Sequence, residues 1–162
     1  MLTAKDIMTA NPVVCTPETS LQDVAQMMWE NDCGVLPVVA EDEKVVGLIT
    51  DRDICMAANI NNRNLWNIAV EDVISGKLFA CKPEDDIHTA LKTMQENKIR
   101  RLPVVGADGT LEGILSMNDI VLKAEEPKEK KASGLSYADV VKTYKSICQH
   151  RLPMQAQAAG SV

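Results

Sequence analysis

The sequence predicts an α/β protein of the α+β kind, two β-α-β-β-α copies packed through their sheets and followed by a separate C-terminal helix. Three observations predict it. Sliding the 162-residue chain along itself by 66 positions aligns Lys5–Ala58 with Glu71–Ala124 without a gap. Leu21, Val24, Ala25 and Met28 stand at helical spacing, and Ile87, Ala90, Leu91 and Met94 repeat that stripe 66 positions later. The run LPVV occurs at 36–39 and again at 102–105, each time ahead of a turn and a second apolar run.

The elements follow in order. Each copy opens on a short extended run, Pro12–Cys15 or Leu78–Cys81, ended by a proline turn at Pro17 or Pro83. The striped helix comes next, and its apolar face must meet a core. Two strands follow, Val35–Ala40 and Val45–Thr50 joined by EDEK, and in the second copy Leu102–Gly106 and Leu111–Ser116 joined by ADGT. Each hairpin runs into a short helix, Asp51–Ala58 or Met117–Ala124. A single copy leaves one sheet face bare, which calls for the pairing.

The expected domains are residues 1–58 and 70–124, with linkers at 59–69 and 125–135. In the first linker Leu65 and Trp66 are expected to anchor onto the module. Trp29 falls opposite the core stripe of its helix and is expected to be exposed or to sit in an interface. A C-terminal amphipathic helix is expected at 136–151, capped by Ser136, with Tyr137, Val140, Val141, Tyr144, Ile147 and Cys148 as its apolar stripe. Residues 152–162 are expected to be disordered.

Composition narrows the function. A formal net charge of −6 opposes nucleic acid and anionic lipid surfaces. No apolar run reaches the length of about 20 residues that spans a bilayer, and the N-terminal stretch has no signal-peptide core, so a cytoplasmic protein is expected. Five cysteines without C-x-x-C spacing and two histidines give no zinc or disulfide framework, and Cys15 and Cys81 read as buried small hydrophobes. Glu84, Asp85 and Asp86 read as a solvated helix start. Phosphate-loop, dinucleotide, zinc-protease and serine-hydrolase motifs are missing, so no enzyme activity and no catalytic cofactor is expected.

Thr50-x-x-Asp53 and Ser116-x-x-Asp119 fall at strand-to-helix joints. The spacing suits a capping box, in which hydroxyl and carboxylate satisfy orphan amides. Ser20-x-x-Asp23 and Ser136-x-x-Asp139 share it at other helix starts, so the spacing alone leaves capping and ligand gripping open.

The arrangement as a whole resembles the CBS-domain family, as a tandem pair forming one Bateman module over roughly residues 1–124. The resemblance rests on IMTANP at 7–12, the two LPVV runs, GLITDRD at 47–53 and GILSMND at 113–119. It implies pseudo-twofold related copies, a non-catalytic regulatory module, and an adenosine-containing ligand such as AMP, ADP, ATP, S-adenosylmethionine or a dinucleotide. Thr50 with Asp53, and Ser116 with Asp119, would then grip ribose. It further implies crossed sites: Ile7, Met8, Ala10, Cys33 and Gly34 with Ile114 around Asp119, and Val73, Ile74, Gly76 and Ile99 with Leu48 around Asp53. Arg100 and Arg101, aligned with Gly34 and Val35, are implied as phosphate contacts, with Arg52 and Asn118 as weaker ones. A homodimer is also expected, through the helices that carry Trp29, and an effector protein is a further expected partner. The rival reading is a ligand-free interaction module that works through its dimer surface and C-terminal helix.

Overall fold

The computed structural model describes residues 1–60, 64–126 and 134–149. Its helices are α1 (Ala4–Ile7), α2 (Leu21–Glu30), α3 (Asp51–Ile60), α4 (Ile87–Asn97), α5 (Met117–Lys123) and α6 (Tyr137–Cys148). Its strands are β1 (Thr9–Ala10), β2 (Val35–Val39), β3 (Val45–Thr50), β4 (Arg101–Val105) and β5 (Leu111–Ser116). The sequence calls for this alternation, and both copies deliver it.

The duplication holds at the level of individual hydrogen bonds. Hairpin β2–β3 pairs Leu36 with Ile49, hairpin β4–β5 pairs Leu102 with Leu115, and both shift register at the same place, Val38/Val39 and Val104/Val105. At the turns Ala40 N–H donates to the Lys44 carbonyl and Gly106 N–H to that of Thr110, both at 2.9 Å. The two sheets adjoin through a bridge between Lys44 and Thr110 and through contact of β3 with β4.

The segments ahead of each copy are exchanged. Leu21 N–H donates to the Ile68 carbonyl at 2.9 Å, and its counterpart Ile87 N–H donates to that of Leu2 at 3.0 Å. Ala4 and Ile7 of α1 therefore lie in the core of the second copy, with Ile87, Leu91, Leu102 and Leu115. Ile68 and Val70 complete the core of the first, with Leu21, Leu36 and Ile49. Neither copy closes its core without a piece contributed from outside its own hairpin and helices.

The crossing continues into β1, whose Thr9 and Ala10 pair with Ile114 and Gly113 of β5. Gly113 permits it, since a Cβ there would stand 2.8 Å from the Thr9 carbonyl oxygen. The second sheet is thus β1-β5-β4 and the first only β2-β3.

The extended runs at 12–15 and 78–81 shrink to single parallel bridges, Cys15 with Val38 and Cys81 with Val104. Pro17 and Pro83, two residues on, have no N–H to lengthen either ladder. Burial pushes the Cys15 thiol up to about 11 and the Cys81 thiol up to about 12, as fits small core residues.

Packing bears on three further expectations. Leu65 leans on the first core, but Trp66 is 61% exposed, because the short 3-10 turn Leu65–Asn67 returns only Leu65 and Ile68 to the same side. Trp29 is 84% exposed, as its position on α2 implies. Helix α6 docks on α4 and α5 with Val140, Thr143, Tyr144 and Ile147 inward, while Tyr137, Val141 and Cys148 face out. The expected stripe is rotated because Thr143, fully buried, accepts a hydrogen bond from Gln95 Nε2 of α4 at 2.7 Å and donates to the Asp139 carbonyl at 2.8 Å. The expected tail at 152–162 and most of the second linker lie outside the described residues.

Candidate functional site: two clefts sharing an arginine pair

At both strand-to-helix joints the capping box forms. The Thr50 N–H and hydroxyl donate to Asp53 Oδ2 at 2.9 and 2.6 Å, and the Ser116 N–H and hydroxyl donate to Asp119 Oδ2. Asp53 N–H and Asp119 N–H return bonds to those hydroxyls at 3.3 Å. The box at Ser136 and Asp139 has the same geometry, with the hydroxyl bond at 2.6 Å, yet neither residue lines a cleft. What separates the first two boxes from the third is the space in front of them.

Asp119 opens onto a cavity of about 540 Å³, walled by Ser116 and Ile114 of its own copy and by Cys33 and Gly34 of the other. Thr9, from the crossed β1, donates its hydroxyl to Asp119 Oδ1 at 3.4 Å. Asp53 opens onto a second cavity of about 480 Å³, with Thr50 and Leu48 beside it and Ile99 from the other copy. Arg52 lines this cavity, and Asn118, 66 positions later, lines the first.

Six implied residues stand elsewhere. Ile7 is core, Met8 lies over Gly113, and Ala10 is exposed outside the cavity lining, while Thr9 and Asn11 line the Asp119 cavity. Val73 and Ile74 pack against the first core and a Cβ at Gly76 would meet open space, while Ser75 and Lys77 line the Asp53 cavity. The displacement is the same in both copies, since Thr9 aligns with Ser75 and Asn11 with Lys77. In each segment the core residues come first, Ile7 or Val73 and Ile74, the cavity residues follow at alternate positions, and the residue between them, Ala10 or Gly76, is exposed. The hydroxyl shared by Thr9 and Ser75 is the signal that sequence reasoning passed over.

Arg100 and Arg101 line both cavities. Burial and the adjacent Arg100 charge push the Arg101 guanidinium below its ordinary value, with Asp51 pulling the other way. A half-buried cation beside a second one is poorly solvated, and an anion in either cleft relieves both. At Gly34 a Cβ would stand 2.9 Å from Asp51 Oδ2 and 3.5 Å from Arg101 Nη2, so a larger residue there requires the Asp51 carboxylate to shift.

The clefts differ in charge. Arg52, Lys77, Lys98, Arg100 and Arg101 face Asp51 and Asp53 in one, whereas Arg100 and Arg101 face Asp32 and Asp119 in the other. Two further walls come from α6: Tyr144 lines the Asp119 cavity and Ile147 the Asp53 cavity. The sequence marks both as apolar helix residues but carries no sign of where the helix docks. Among the described residues no cluster of three or more His, Cys, Asp or Glu is placed to hold a metal ion, and no helix is long and apolar enough to cross a membrane.

The CBS domain family model matches residues 4–59 and 70–126. The chain is 33% identical over 119 residues to homoserine O-acetyltransferase of Methanosalsum zhilinae, covering 74% of this chain but 23% of that enzyme, whose activity therefore does not transfer with the match. It is 31% identical over 122 residues to CBS domain-containing protein YhcV of Bacillus subtilis, covering 75% of this chain and 85% of that one. The solved structure of CBSX2 in complex with AMP superposes with a TM-score of 0.67 at 30% identity, over 75% of this chain and 95% of that one. Two copies of one β-α-β-β-α unit, each completed by the other's leading segment and each matched by the same model, show that the chain belongs to the CBS domain family as a tandem pair.

Proposed function

We propose that the protein is a regulatory module that binds an adenosine-containing ligand, with the ribose at Asp53 or Asp119 and the phosphates at the arginine pair. The observation that carries this reading is that each cavity joins a Thr/Ser-x-x-Asp carboxylate to the same Arg100 and Arg101. A carboxylate oxygen accepts the two vicinal ribose hydroxyls, and a guanidinium matches phosphate geometry. The AMP held by CBSX2 supports the ligand class.

The charge difference between the clefts refines the reading. The Asp53 cavity, with five basic side chains against two acidic ones, takes the ligand of higher phosphate charge. The Asp119 cavity, with two of each, takes AMP or an uncharged adenosine derivative. In both clefts the protein supplies recognition and no reacting group, so occupancy is the output, read by whatever contacts the module.

The test is to purify the protein gently, denature it, and identify released small molecules by mass spectrometry. An adenine nucleotide in the supernatant supports the reading. A protein that releases none, and that ignores adenine nucleotides in solution, belongs instead to the ligand-free interaction class.

A further inference from the structure

Helix α6 begins past residue 126, where the second CBS domain match ends, yet it supplies a wall to each cleft: Tyr144 to the Asp119 cavity and Ile147 to the Asp53 cavity. The two residues are three apart and share one face of the helix. One element foreign to the repeat thus stands against both sites.

The two ends of α6 are held unequally. At its start Leu135 and Val140 are buried, Ser136 bridges to Glu125, and Glu125 N–H donates to the Leu135 carbonyl at 3.1 Å. Past Thr143 no described residue of the helix is fully buried: Tyr144 and Ile147 are half-buried, and Lys145 and Cys148 are exposed. The polar ties of this half to α4 are Gln95 Nε2 to the Thr143 hydroxyl at 2.7 Å and an exposed bond from Lys98 Nζ to the Gln149 carbonyl at 3.2 Å. A segment with so little buried apolar surface opens at a lower free energy than the core beneath it. The half of α6 that opens first is the half that carries both cleft walls.

Tyr144 and Ile147 pack against the second core and also front the clefts. A ligand in either cleft covers part of their remaining apolar surface, and does so only while α6 is docked. Ligand therefore favours the docked state over the undocked one, which is what a shift of population requires. We propose, resting on the adenosine reading, that the C-terminal half of α6 is a strap held down by ligand: occupancy of either cleft tightens its docking on α4, and emptying the clefts releases it. By linkage, loosening the strap weakens ligand by the same factor. Release uncovers Tyr144, Ile147 and the α4 surface beneath them, so an empty module presents an apolar surface that a filled one lacks.

Hydrogen–deuterium exchange of the full chain, followed by mass spectrometry with and without saturating AMP, reads the docking, and calorimetry on the same sample first establishes that AMP binds. Amides of residues 143–148 should exchange about fivefold more slowly, or slower still, with AMP present, the low end of ordinary coupling between sites. The difference should appear at times too short for α2 to exchange in either sample, so that it reports local opening. In the reverse direction, Lys145→Pro breaks this half of the helix at an exposed position that lines neither cleft, and should weaken AMP by a similar factor. Lys145→Ala, which keeps the helix, should bind as the parent does. Unchanged exchange of α6 in a sample that binds AMP overturns the proposal and leaves the adenosine reading standing, as does a folded Lys145→Pro protein that binds like the parent. A parent that gives no heat with AMP overturns both. The exchange arm uses the parent chain, so the test stands whether or not Lys145→Pro folds.

Discussion

Thr50 engages Asp53 through one carboxylate oxygen only: its N–H and hydroxyl both donate to Oδ2, at 2.9 and 2.6 Å. The cap leaves Oδ1 for a second task, so helix capping and ribose binding are not competing readings of this motif. In the second copy Oδ2 is engaged in the same way by Ser116, and Oδ1 meets the hydroxyl of the crossed Thr9.

Asp53→Ala and Asp119→Ala should each weaken only their own cavity, by about 1.5–3 kcal/mol for a charge-assisted hydrogen bond. Each should also lose about 0.5–2 kcal/mol of stability with the cap. Asp23→Ala, which breaks the Ser20 cap at the start of α2 and lines neither cavity, is the control, and should show the stability loss without the affinity loss. Calorimetric titrations and thermal melts on the three variants separate the two effects.

Replacing Arg100 and Arg101 together by alanine should weaken nucleotide in both cavities and leave adenosine nearly unaffected, because one pair serves both. Raising the salt concentration should reproduce the pattern in the parent protein, since the interaction is a partly exposed one between charges. Equal losses for nucleotide and nucleoside would assign the arginines to structure.

The repeat, both helix stripes, both hairpins and the arginine asymmetry were legible in the sequence, because each is a local pattern written twice. The cavity walls were legible only in part. Leu48, Cys33, Gly34, Ile99 and Ile114 line the clefts, but in the leading segments the implied set fell on core residues ahead of Thr9 and Ser75 and on the exposed Ala10 and Gly76 beside them. The docking of α6 was not legible. An amphipathic stripe states that a helix packs, and here one buried polar contact, Gln95 with Thr143, sets the rotation.

Tyr144→Ala should weaken ligand at the Asp119 cavity, and Ile147→Ala at the Asp53 cavity, because each side chain walls one cleft. Placing each substitution in a background where the other cavity is disabled, by Asp53→Ala or Asp119→Ala, isolates the effect. Unchanged affinity in both would make α6 a bystander to binding.

Acid should loosen the start of α6. Burial acts to raise the Asp139 carboxyl, but the Ser136 hydroxyl and N–H, with His88 at 3.6 Å, outweigh it and hold the group below its ordinary 3.8. The stability it contributes is therefore complete above pH 3.8 and is lost as pH falls through the lowered folded value. Asp139→Asn should melt lower than the parent at neutral pH, and the gap should close in acid. A gap that persists unchanged at the lowest pH would detach the cap from the stability of α6.

Calorimetric titration of AMP into protein stripped of small molecules probes both clefts directly as adenosine sites. AMP should bind saturably to the parent, and the double variant Asp53→Ala, Asp119→Ala should lose affinity by about 1.5–3 kcal/mol at each site while the fold, followed by circular dichroism, survives. Undiminished affinity in that variant, or no heat from AMP in the parent protein, would remove both clefts as adenosine sites.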